Sequence, residues 1–327
     1  MNVIETHGLT KCYRRQRAVD SLDMRVEAGA IYGFVGKNGA GKSTTMKMIC
    51  GLVTPTAGEI TLFNDPEHRG ATPQGFSRVG ALIEAPGVLP SLSATDNVVA
   101  KALAIGVTHP KDEAARLLEL VGLAETGSKR VKGFSLGMKQ RLGLALALVG
   151  GPDLLLLDEP FNGLDPEATR DMRLALVRLN HERGVTIVVS SHVLDQLDRL
   201  ATCYGVISRG RMVRQFSEDE LHAACGSSVR LRVAEPERTL ALLEQALPAA
   251  SFRAEPDGAL VVTGTSAQEL SQAVHATGAT VLELSQQERD IEEFFVKLMG
   301  GRDASDDAPA PAHAARRHGQ RGGGQRA

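Results

Sequence analysis

The stretch that decides the fold is Gly36-Lys37-Asn38-Gly39-Ala40-Gly41-Lys42-Ser43-Thr44. It fits the phosphate-loop pattern G-x-x-x-x-G-K-[ST]. An apolar run at 30–35 precedes it and predicts a buried strand, and residues 44–50 can continue as a helix that stops at Gly51. A strand, a glycine-rich loop and a helix in this order are the context that the motif needs.

The chemistry expected of this loop follows from its residue types. Glycines let backbone N–H groups approach phosphate oxygens closely, because no Cβ stands in the way. The following helix points the positive end of its dipole at the same anion. We expect Lys42 to reach the β- and γ-phosphates and Ser43 to ligate Mg²⁺. The alternative is an ordinary glycine-rich turn before a helix, and the flanking strand and helix weigh against it.

Composition and charge are those of an ordinary globular protein. The 327 residues suffice for one large domain and a small one, with 43% hydrophobic and 23% charged residues. A net charge of −2 argues against nucleic-acid binding through bulk charge. The four cysteines form no C-x-x-C pair, as expected for reduced thiols in a cytosolic protein. Residues 1–5 do not resemble a signal peptide and no apolar run reaches membrane-spanning length, so we expect any membrane role to need a partner.

Chemically useful side chains follow two strongly apolar runs. Four leucines at 154–157 predict a strand buried on both faces of a parallel sheet, and Asp158 and Glu159 come directly after them. Open α/β sheets bind their ligands at this end of the strands. We therefore expect Asp158 to contact Mg²⁺ and Glu159 to polarise a water molecule. A second buried strand at 186–191 ends in His192, whose tip should fall near the nucleotide.

The remaining pattern before residue 215 predicts further elements. Short strands are expected at 3–6, 21–26, 59–63 and 78–84, and helices begin near 92, capped by Ser93 or Thr95, and cover 111–123, 134–149 and about 167–182. Tyr13, between the first two strands, either stacks on a base or packs at a strand end. The turn that opens helix 134–149 carries Ser135 and Gly137, which predict either a second anion-binding helix start or a plain serine cap.

From about residue 215 the composition changes. Strands are predicted at 228–233, 259–263 and 280–285, and helices at 235–247, 266–277 and 289–299. This β-α-β-α-β-α order predicts a small α+β domain at 220–300, in which we find no catalytic constellation. Residues 303–327 are rich in Ala, Pro, Gly and Arg and predict a disordered tail. Its basic cluster at 316–321 suits an anionic surface, although a solubilising role is the simpler interpretation.

Taken in order along the chain, these motifs make residues 1–215 resemble the nucleotide-binding subunits of ABC transporters. The resemblance implies an α/β P-loop NTPase fold with a helical subdomain at about 85–150, and ATP and Mg²⁺ as cofactors. The implied nucleotide contacts are Tyr13 on the adenine, the Walker A residues Gly36, Asn38, Gly39, Gly41, Lys42, Ser43 and Thr44, the signature residues Ser135 and Gly137, and Asp165 of the D-loop. The implied metal ligands are Ser43, Asp158 and Glu84, and the implied catalytic groups are Glu159, His192 as the switch histidine, and Glu84.

Two departures from the usual sequence of the family point to one of its subgroups. Residues 134–138 read Phe-Ser-Leu-Gly-Met where the family usually has Leu-Ser-Gly-Gly-Gln, so Ser135 and Gly137 are the matching positions. Glu84 stands where most of the family has Gln, and it keeps an oxygen for the metal while losing the NH₂ donors. Together with the Ile-Glu-x-Pro-Gly pattern at 83–87, this is similar to the subgroup that exports, or confers immunity to, lantibiotics and bacitracin-like peptides.

The resemblance implies an ATPase motor with two kinds of partner, a second nucleotide-binding chain and a membrane permease. Two copies would pair head to tail, as a homodimer or with a related chain, on the inner face of the membrane, and drive a separate permease without binding specific nucleic acid. The alternative is a soluble ABC ATPase that acts on ribosomes or DNA, but such proteins usually have two nucleotide domains or long coiled-coil or zinc insertions. A non-catalytic regulatory module is the third hypothesis, and intact Lys42, Asp158, Glu159 and His192 argue against it.

Overall fold

The computed structural model describes residues 1–64, 78–198, 200–225, 227–255, 257–288 and 291–300. The tail predicted at 303–327 lies outside these ranges. The strands up to residue 217 are, in chain order, β1 (Asn2–Tyr13), β2 (Gln16–Glu27), β3 (Ile31–Val35), β4 (Ala57–Leu62), β5 (Val79–Leu82), β6 (Leu154–Asp158), β7 (Thr186–Ser191), β8 (Cys203–Ser208) and β9 (Arg211–Ser217).

These strands form two sheets. A six-stranded sheet has the order β5-β6-β7-β3-β8-β9 and is parallel apart from the β8–β9 hairpin, and an antiparallel sheet has the order β2-β1-β4. Every residue of β3, β6 and β7 is buried, as expected for the continuous apolar runs of a parallel sheet covered on both faces. The predicted α/β P-loop fold is confirmed, and the carboxyl ends of the parallel strands meet at one edge.

Two parts of these sheets differ from the sequence prediction. The first hairpin is much longer than the short strands predicted at 3–6 and 21–26, because register shifts along β1 interrupt the two-residue alternation on which the prediction depended. The β8–β9 hairpin was missed altogether. Its two-residue turn has positive φ at Arg209 (50°) and Gly210 (81°), the geometry of a type I′ turn that glycine at the second position favours.

The helices of this part of the chain are α1 (Lys42–Ile49), α2 (Ala94–Ala104), α3 (Pro110–Leu120), α4 (Leu136–Ala147), α5 (Pro166–Arg183), α6 (Asp195–Asp198) and α7 (Glu218–Cys225). Three of them, α2 to α4, lie between β5 and β6 in the chain and share one core. Val98, Leu117 and Leu142, one from each helix, are fully buried in it. Ser93 caps α2 by accepting a hydrogen bond from the Asp96 N–H, so of the two predicted caps it is the one used.

The small C-terminal unit has one more strand than predicted. It contains β10 (Ser227–Val233), α8 (Pro236–Ala246), β11 (Ser251–Ala254), β12 (Leu260–Thr263), α9 (Ala267–Ala276) and β13 (Val281–Glu288), in an antiparallel sheet of order β11-β12-β10-β13. Its own core joins Leu231 and Val262 of the sheet to Leu243 and Leu270 of the two helices. The four-residue strand β11 was missed because only Phe252 in it packs against that core.

The last described helix, α10 (Ile291–Gly300), packs away from this small core. Phe295 is fully buried, and the centroid of its ring lies 5.5 Å from that of Phe216 in β9 and 6.0 Å from that of Tyr204 in β8. Leu221 of α7 belongs to the same core. The sequence period predicts that α10 has an apolar face, and the structure adds that Phe295 on this helix enters the core of the nucleotide-binding part. The bounds 220–300 of the small domain stay a prediction.

Replacing Phe295 with Ala is expected to destabilise the nucleotide-binding part by about 3 kcal/mol, because a fully buried ring leaves a cavity in an aromatic cluster. Urea unfolding of the full chain measures this change. Leu282→Ala is the control, since that side chain is 63% exposed on the small unit. If both variants unfold at the wild-type midpoint, Phe295 does not contribute to the stability of the nucleotide-binding part as described.

Candidate ATP site

The phosphate loop between β3 and α1 is closely packed from behind. A Cβ added to Gly36 would lie 2.5 Å from the Ile207 carbonyl oxygen, and one added to Gly41 would lie 2.6 Å from the Ala18 carbonyl oxygen. Gly39, at the tip, is exposed, has φ of +81° and has nothing within 4 Å of a Cβ position. Only glycine therefore fits at these positions, and the loop's open side is the one that can receive a ligand.

The β8–β9 turn that the sequence analysis missed supports this loop. The Gly210 N–H donates to the Ala40 carbonyl oxygen at 2.9 Å, and the Gly210 carbonyl accepts from the Asp20 N–H at 2.9 Å. The Asp20 carboxylate in turn accepts two hydrogen bonds from the Arg211 guanidinium, at 2.7 and 2.9 Å. Arg211 is the main reason why the pKa of Asp20 is lowered. These hydrogen bonds hold the β8–β9 hairpin and the phosphate loop together as one unit.

Lys42 begins α1 and is buried in the loop. Its ammonium donates to the Gly36 carbonyl oxygen at 2.6 Å and forms an ion pair with Glu159 Oε1 at 3.2 Å. Ser43 and Thr44 are half-exposed in the same helical turn, and Asn38 is exposed at the loop tip. The first turn of α1, which is fully described, has no acidic residue, so the helix dipole is free to act on an anion.

The carboxyl ends of β6 and β7 bring the acidic groups to the loop. Ser190 Oγ donates to Asp158 Oδ1 at 2.6 Å and accepts from the Glu159 N–H at 3.0 Å, so one hydroxyl orients both acidic residues. Glu159 Oε2 lies 2.7 Å from His192 Nδ1, while Oε1 faces Lys42. The structure therefore joins Lys42, Glu159 and His192, three predicted site residues that come from three separate parts of the sequence.

Glu159 has an unfavourable backbone conformation. Its φ is +50°, in the left-handed region, which costs a non-glycine residue about 1–2 kcal/mol. Such conformations persist where the surrounding structure fixes them, and they cluster at functional sites. Here the Ser190 hydroxyl and the pairs with Lys42 and His192 hold the carboxylate at the end of β6.

Glu84 follows β5 and also has a positive φ, of 64°. Its carboxylate forms an ion pair with Lys47, one turn after Lys42 in α1. That hydrogen bond is the main cause of the raised pKa of Lys47, and the charges of Glu84, Tyr13 and Asp158 act in the same direction. Glu84, Asp158 and Tyr13 therefore lie within electrostatic reach of one ammonium group, and the described contact of Glu84 is with Lys47.

Tyr13 lies at the end of β1, beside the hairpin turn. Its side chain is 46% exposed, and the Lys11 ammonium lies 5.2 Å from the centroid of its ring. Nearly half of the side chain is therefore open to solvent, and stacking of Tyr13 on a base stays a prediction. A ring presented in this way can stack on a planar base.

The turn at Ser135, which opens α4, lies against the start of α5. Ser135 Oγ accepts from the Met138 N–H at 3.2 Å and caps α4. A Cβ added to Gly137 would lie 3.0 Å from the Ala168 Cβ in the first turn of α5, which Asp165 caps at 2.7 Å. Ser135 and Asp165 therefore each cap their own helix, and Gly137 lies against the start of α5. Among the described residues, no contact joins these three to Lys42 or Glu159.

The donors at the site suit both expected cofactors. Backbone N–H groups, a lysine and a helix start suit a triphosphate, and the Ser43 hydroxyl and Asp158 carboxylate are oxygen ligands of the kind that Mg²⁺ prefers. In the described ranges no cluster of three or more His, Cys, Asp or Glu side chains could hold a metal by itself. Mg²⁺ commonly uses one or two protein oxygens and completes its shell with phosphates and water.

Comparison with known proteins decides the family. The model of the family described as "ABC transporter" matches residues 19–162. The bacitracin transport ATP-binding protein BcrA of Bacillus licheniformis is 38% identical over 301 residues, covering 91% of this chain and 98% of BcrA. The chain belongs to the ABC transporter family. Its phosphate loop is accordingly the Walker A loop of an ABC ATP-binding domain, and this domain binds ATP.

Two further relatives of this ABC protein are named as transport or resistance proteins. The lantibiotic transport ATP-binding protein SrtF of Streptococcus pyogenes is 37% identical, covering 66% of this chain and 92% of SrtF. The daunorubicin/doxorubicin resistance ATP-binding protein DrrA of Streptomyces peucetius is 34% identical, covering 91% of this chain and 92% of DrrA. The predicted resemblance to the lantibiotic and bacitracin subgroup is thus confirmed, and the alternative of an ATPase acting on ribosomes or DNA is not favoured.

Solved structures and a second family model complete the comparison. The structure of cbiO1 from Clostridium perfringens, part of the ABC transporter complex cbiONQ, aligns with a TM-score of 0.60 at 27% identity, covering 68% of this ABC protein and 91% of cbiO1. Residues 227–292 match a domain of unknown function, DUF8746. Among the helices in the described ranges, none is long and apolar enough to cross a membrane.

Sequence reasoning missed three residues that shape the site. Ser190 holds Asp158 and Glu159, and the parallel pairing of β6 with β7 places it opposite Asp158. Its polar character at the end of an apolar strand was the available signal. Lys47 holds Glu84, and its position five residues after Lys42 carried no comparable signal. Gly210 supports the Walker A loop, and the Arg-Gly pair between alternating strands could have revealed its turn.

Proposed function

We propose that this chain is the ATP-hydrolysing subunit of an ABC exporter whose membrane-spanning permease is a separate polypeptide. The observation that carries the proposal is the Glu159 carboxylate, fixed between Lys42 and His192 at the end of β6. A carboxylate in that position can orient a water for attack on a phosphate that Lys42 holds. The names of BcrA, SrtF and DrrA favour an antimicrobial peptide or drug as the exported compound.

Each residue then has a stated task. Lys42 and the loop N–H groups bind the β- and γ-phosphates, and Tyr13 stacks on the adenine. Ser43 and Asp158 would hold Mg²⁺, which neutralises charge on the phosphate oxygens when bound. Phosphate oxygens compete with Glu159 for the Lys42 ammonium, so ATP binding frees one carboxylate oxygen for water while His192 keeps the other in place.

The position of Ser135 and Gly137 supports a dimer. Among the described residues, Ser135 caps its own helix and Gly137 lies against the start of α5, and neither contacts Lys42, so one copy does not complete a site from its own signature residues. In a head-to-tail pair, the α4 start of one copy would face the Walker A loop of the other, and its N–H groups and Ser135 hydroxyl would meet the γ-phosphate. The structure of the related cassette MJ0796, described as dimeric, has the same fold at 23% identity and a TM-score of 0.58.

A groove beside Glu84 is the surface that we assign to the permease. Its volume is about 550 Å³, and the loop that follows Glu84 forms part of its wall, together with residues of α2 and α4. Leu52 and Leu89 line it and are 68% and 52% exposed. Contiguous exposed apolar groups of this kind mark protein interaction sites. Docking here would place this chain peripherally on the inner face of the membrane.

Leu89→Asp tests this docking. The expected result is a loss of at least about tenfold in affinity for the permease that co-purifies with the wild-type chain, because the new charge must be desolvated in an apolar contact. Binding to that permease in lipid nanodiscs measures the change. Leu174→Asp is the matched control, since Leu174 is 57% exposed on α5 and does not line the groove. If the two variants bind the permease with equal affinity, the groove is not the docking surface.

Glu84 would link this groove to the nucleotide. We expect Glu84→Gln to hydrolyse ATP at a rate close to that of the wild type, because the amide keeps an oxygen for the metal. Glu84→Ala loses that oxygen and the contact with Lys47, so transport should fall more than ATP binding does. ATP affinity, ATPase rate and peptide resistance of the assembled complex separate these effects. An alanine variant that equals the wild type in all three would leave Glu84 without a coupling role.

A further inference from the structure

We infer that the permease segment that enters this groove carries an aspartate or glutamate among apolar residues, and that its carboxylate pairs with Lys101. The inference rests on the proposed docking of the permease, and it adds a definite chemical requirement to the partner.

Among the residues that line the groove, Lys101 is the one with a charged side chain. The others are glycines or apolar residues such as Leu52, Ile83, Leu89 and Leu146, together with Asn97. Apart from Lys101 and the Asn97 amide, the side chains of this lining offer nothing polar to a partner. A segment that fills the groove must therefore be mainly apolar and must meet one positive charge.

The amide of Asn97, one helical turn before Lys101, is already used within the chain. Its Oδ1 accepts from the Leu89 N–H at 2.7 Å, and its Nδ2 donates to the carbonyl oxygens of Leu89 and Ser93 at 3.1 and 2.8 Å. Asn97 thus fixes the loop that forms one wall of the groove. It leaves Lys101 as the polar group with unused hydrogen-bonding capacity.

Lys101 is half-buried in the last turn of α2. Within the part of the chain that the structure describes, it has no carboxylate within ion-pair distance and no side-chain hydrogen bond. Burial lowers the pKa of its ammonium, because the apolar surroundings disfavour the charged form. Among the described residues, this ammonium is therefore partly desolvated and has no counter-ion.

Filling the groove would remove still more water from this ammonium. An apolar or basic segment would leave the charge buried and unpaired, which is strongly unfavourable. A carboxylate at that position would instead form a charge-assisted hydrogen bond with it. Lys101 therefore discriminates between partners, since it penalises segments that lack an acidic residue as well as attracting those that have one.

The test uses full-length chain and the permease that co-purifies with it, held in nanodiscs. Lys101→Met keeps the apolar stem and removes the charge, and Lys101→Glu reverses it. Truncation of one partner in a desolvated charge pair typically lowers affinity by about thirtyfold or more. We expect a loss of roughly that size for Lys101→Met and a larger one for Lys101→Glu. Lys111→Met and Lys111→Glu, at an exposed position of α3, are the matched controls and should bind normally.

A charge swap between the two proteins tests whether the partner of Lys101 is a carboxylate. Replacing the acidic residue of the permease's docking segment with Lys should restore binding to Lys101→Glu while weakening binding to the wild type. If Lys101→Met binds like the wild type while Leu89→Asp does not, docking in the groove stands and the carboxylate inference is wrong. If neither variant changes affinity, the groove is not the docking surface and the inference falls with it. Unchanged melting temperature and ATP affinity of each variant show that the fold is intact.

Discussion

Replacing Glu159 with Gln is expected to lower ATP hydrolysis by at least about a hundredfold, because positioned proton acceptors typically contribute factors of 10²–10⁴. The amide keeps the shape of the side chain and can still accept from its neighbours. It cannot polarise a water as a carboxylate does. The substitution also removes the ion pair with Lys42, so the ammonium becomes fully available to phosphate oxygens. ATP binding should therefore persist, and the ATP-bound dimer should accumulate.

Gel filtration with Mg·ATP measures this accumulation. The Glu159→Gln variant should elute as a dimer with ATP and as a monomer without it. Glu125→Gln, an exposed change in a short turn far along the chain from Glu159, should behave as the wild type. A variant that remains monomeric with ATP, or that hydrolyses ATP at the wild-type rate, would contradict the role given to Glu159.

Lys42→Ala should weaken ATP binding, whereas Glu159→Gln should mainly slow ATP hydrolysis. Lys42 is 5% exposed, and its ammonium holds the loop through Gly36 and faces Glu159. Hydrogen bonds to charged groups contribute about 1.5–3 kcal/mol, so the dissociation constant of ATP should rise roughly tenfold to a hundredfold. The uncompensated Glu159 carboxylate would repel phosphate in addition.

Equilibrium titration with a fluorescent ATP analogue measures the loss. Lys37→Ala is the matched control, because Lys37 belongs to the same loop but is exposed. We expect the control to bind within about twofold of the wild type. If Lys42→Ala and Lys37→Ala bind ATP equally well, then the loop does not hold phosphate through Lys42.

Much of the site could be predicted from the sequence because it lies where buried strands end. The leucine run before Asp158 and the apolar run before His192 fix the strands, and parallel pairing then brings their ends to the phosphate loop. Three-residue contacts such as Lys42–Glu159–His192 follow from that topology. The strand pattern was therefore enough to expect these side chains near the nucleotide, whereas the pairing of Glu159 with Lys42 and His192 is known only from the structure.

What could not be predicted depends on packing between distant parts of the chain. The period of 289–299 indicates an apolar helix face, but only the structure shows that Phe295 enters the aromatic cluster of β8 and β9. Similarly, nothing near Glu84 in the sequence identifies Lys47 as its partner. In the sequence, Lys101 is simply a charged residue of a predicted helical region, and only the structure shows that it lines a groove. Side-chain partners of this kind are set by tertiary contacts, which single-sequence patterns do not contain.

The central claim is that this chain hydrolyses ATP through Glu159 while it is bound to a separate permease. Phosphate release by the co-purified complex in nanodiscs, measured for the wild type and for Glu159→Gln, tests it most directly. The account predicts steady ATP turnover by the wild-type complex, none by the permease alone, and a rate at least about a hundredfold lower for the variant. Turnover by the permease alone, or equal rates for the two complexes, would contradict it.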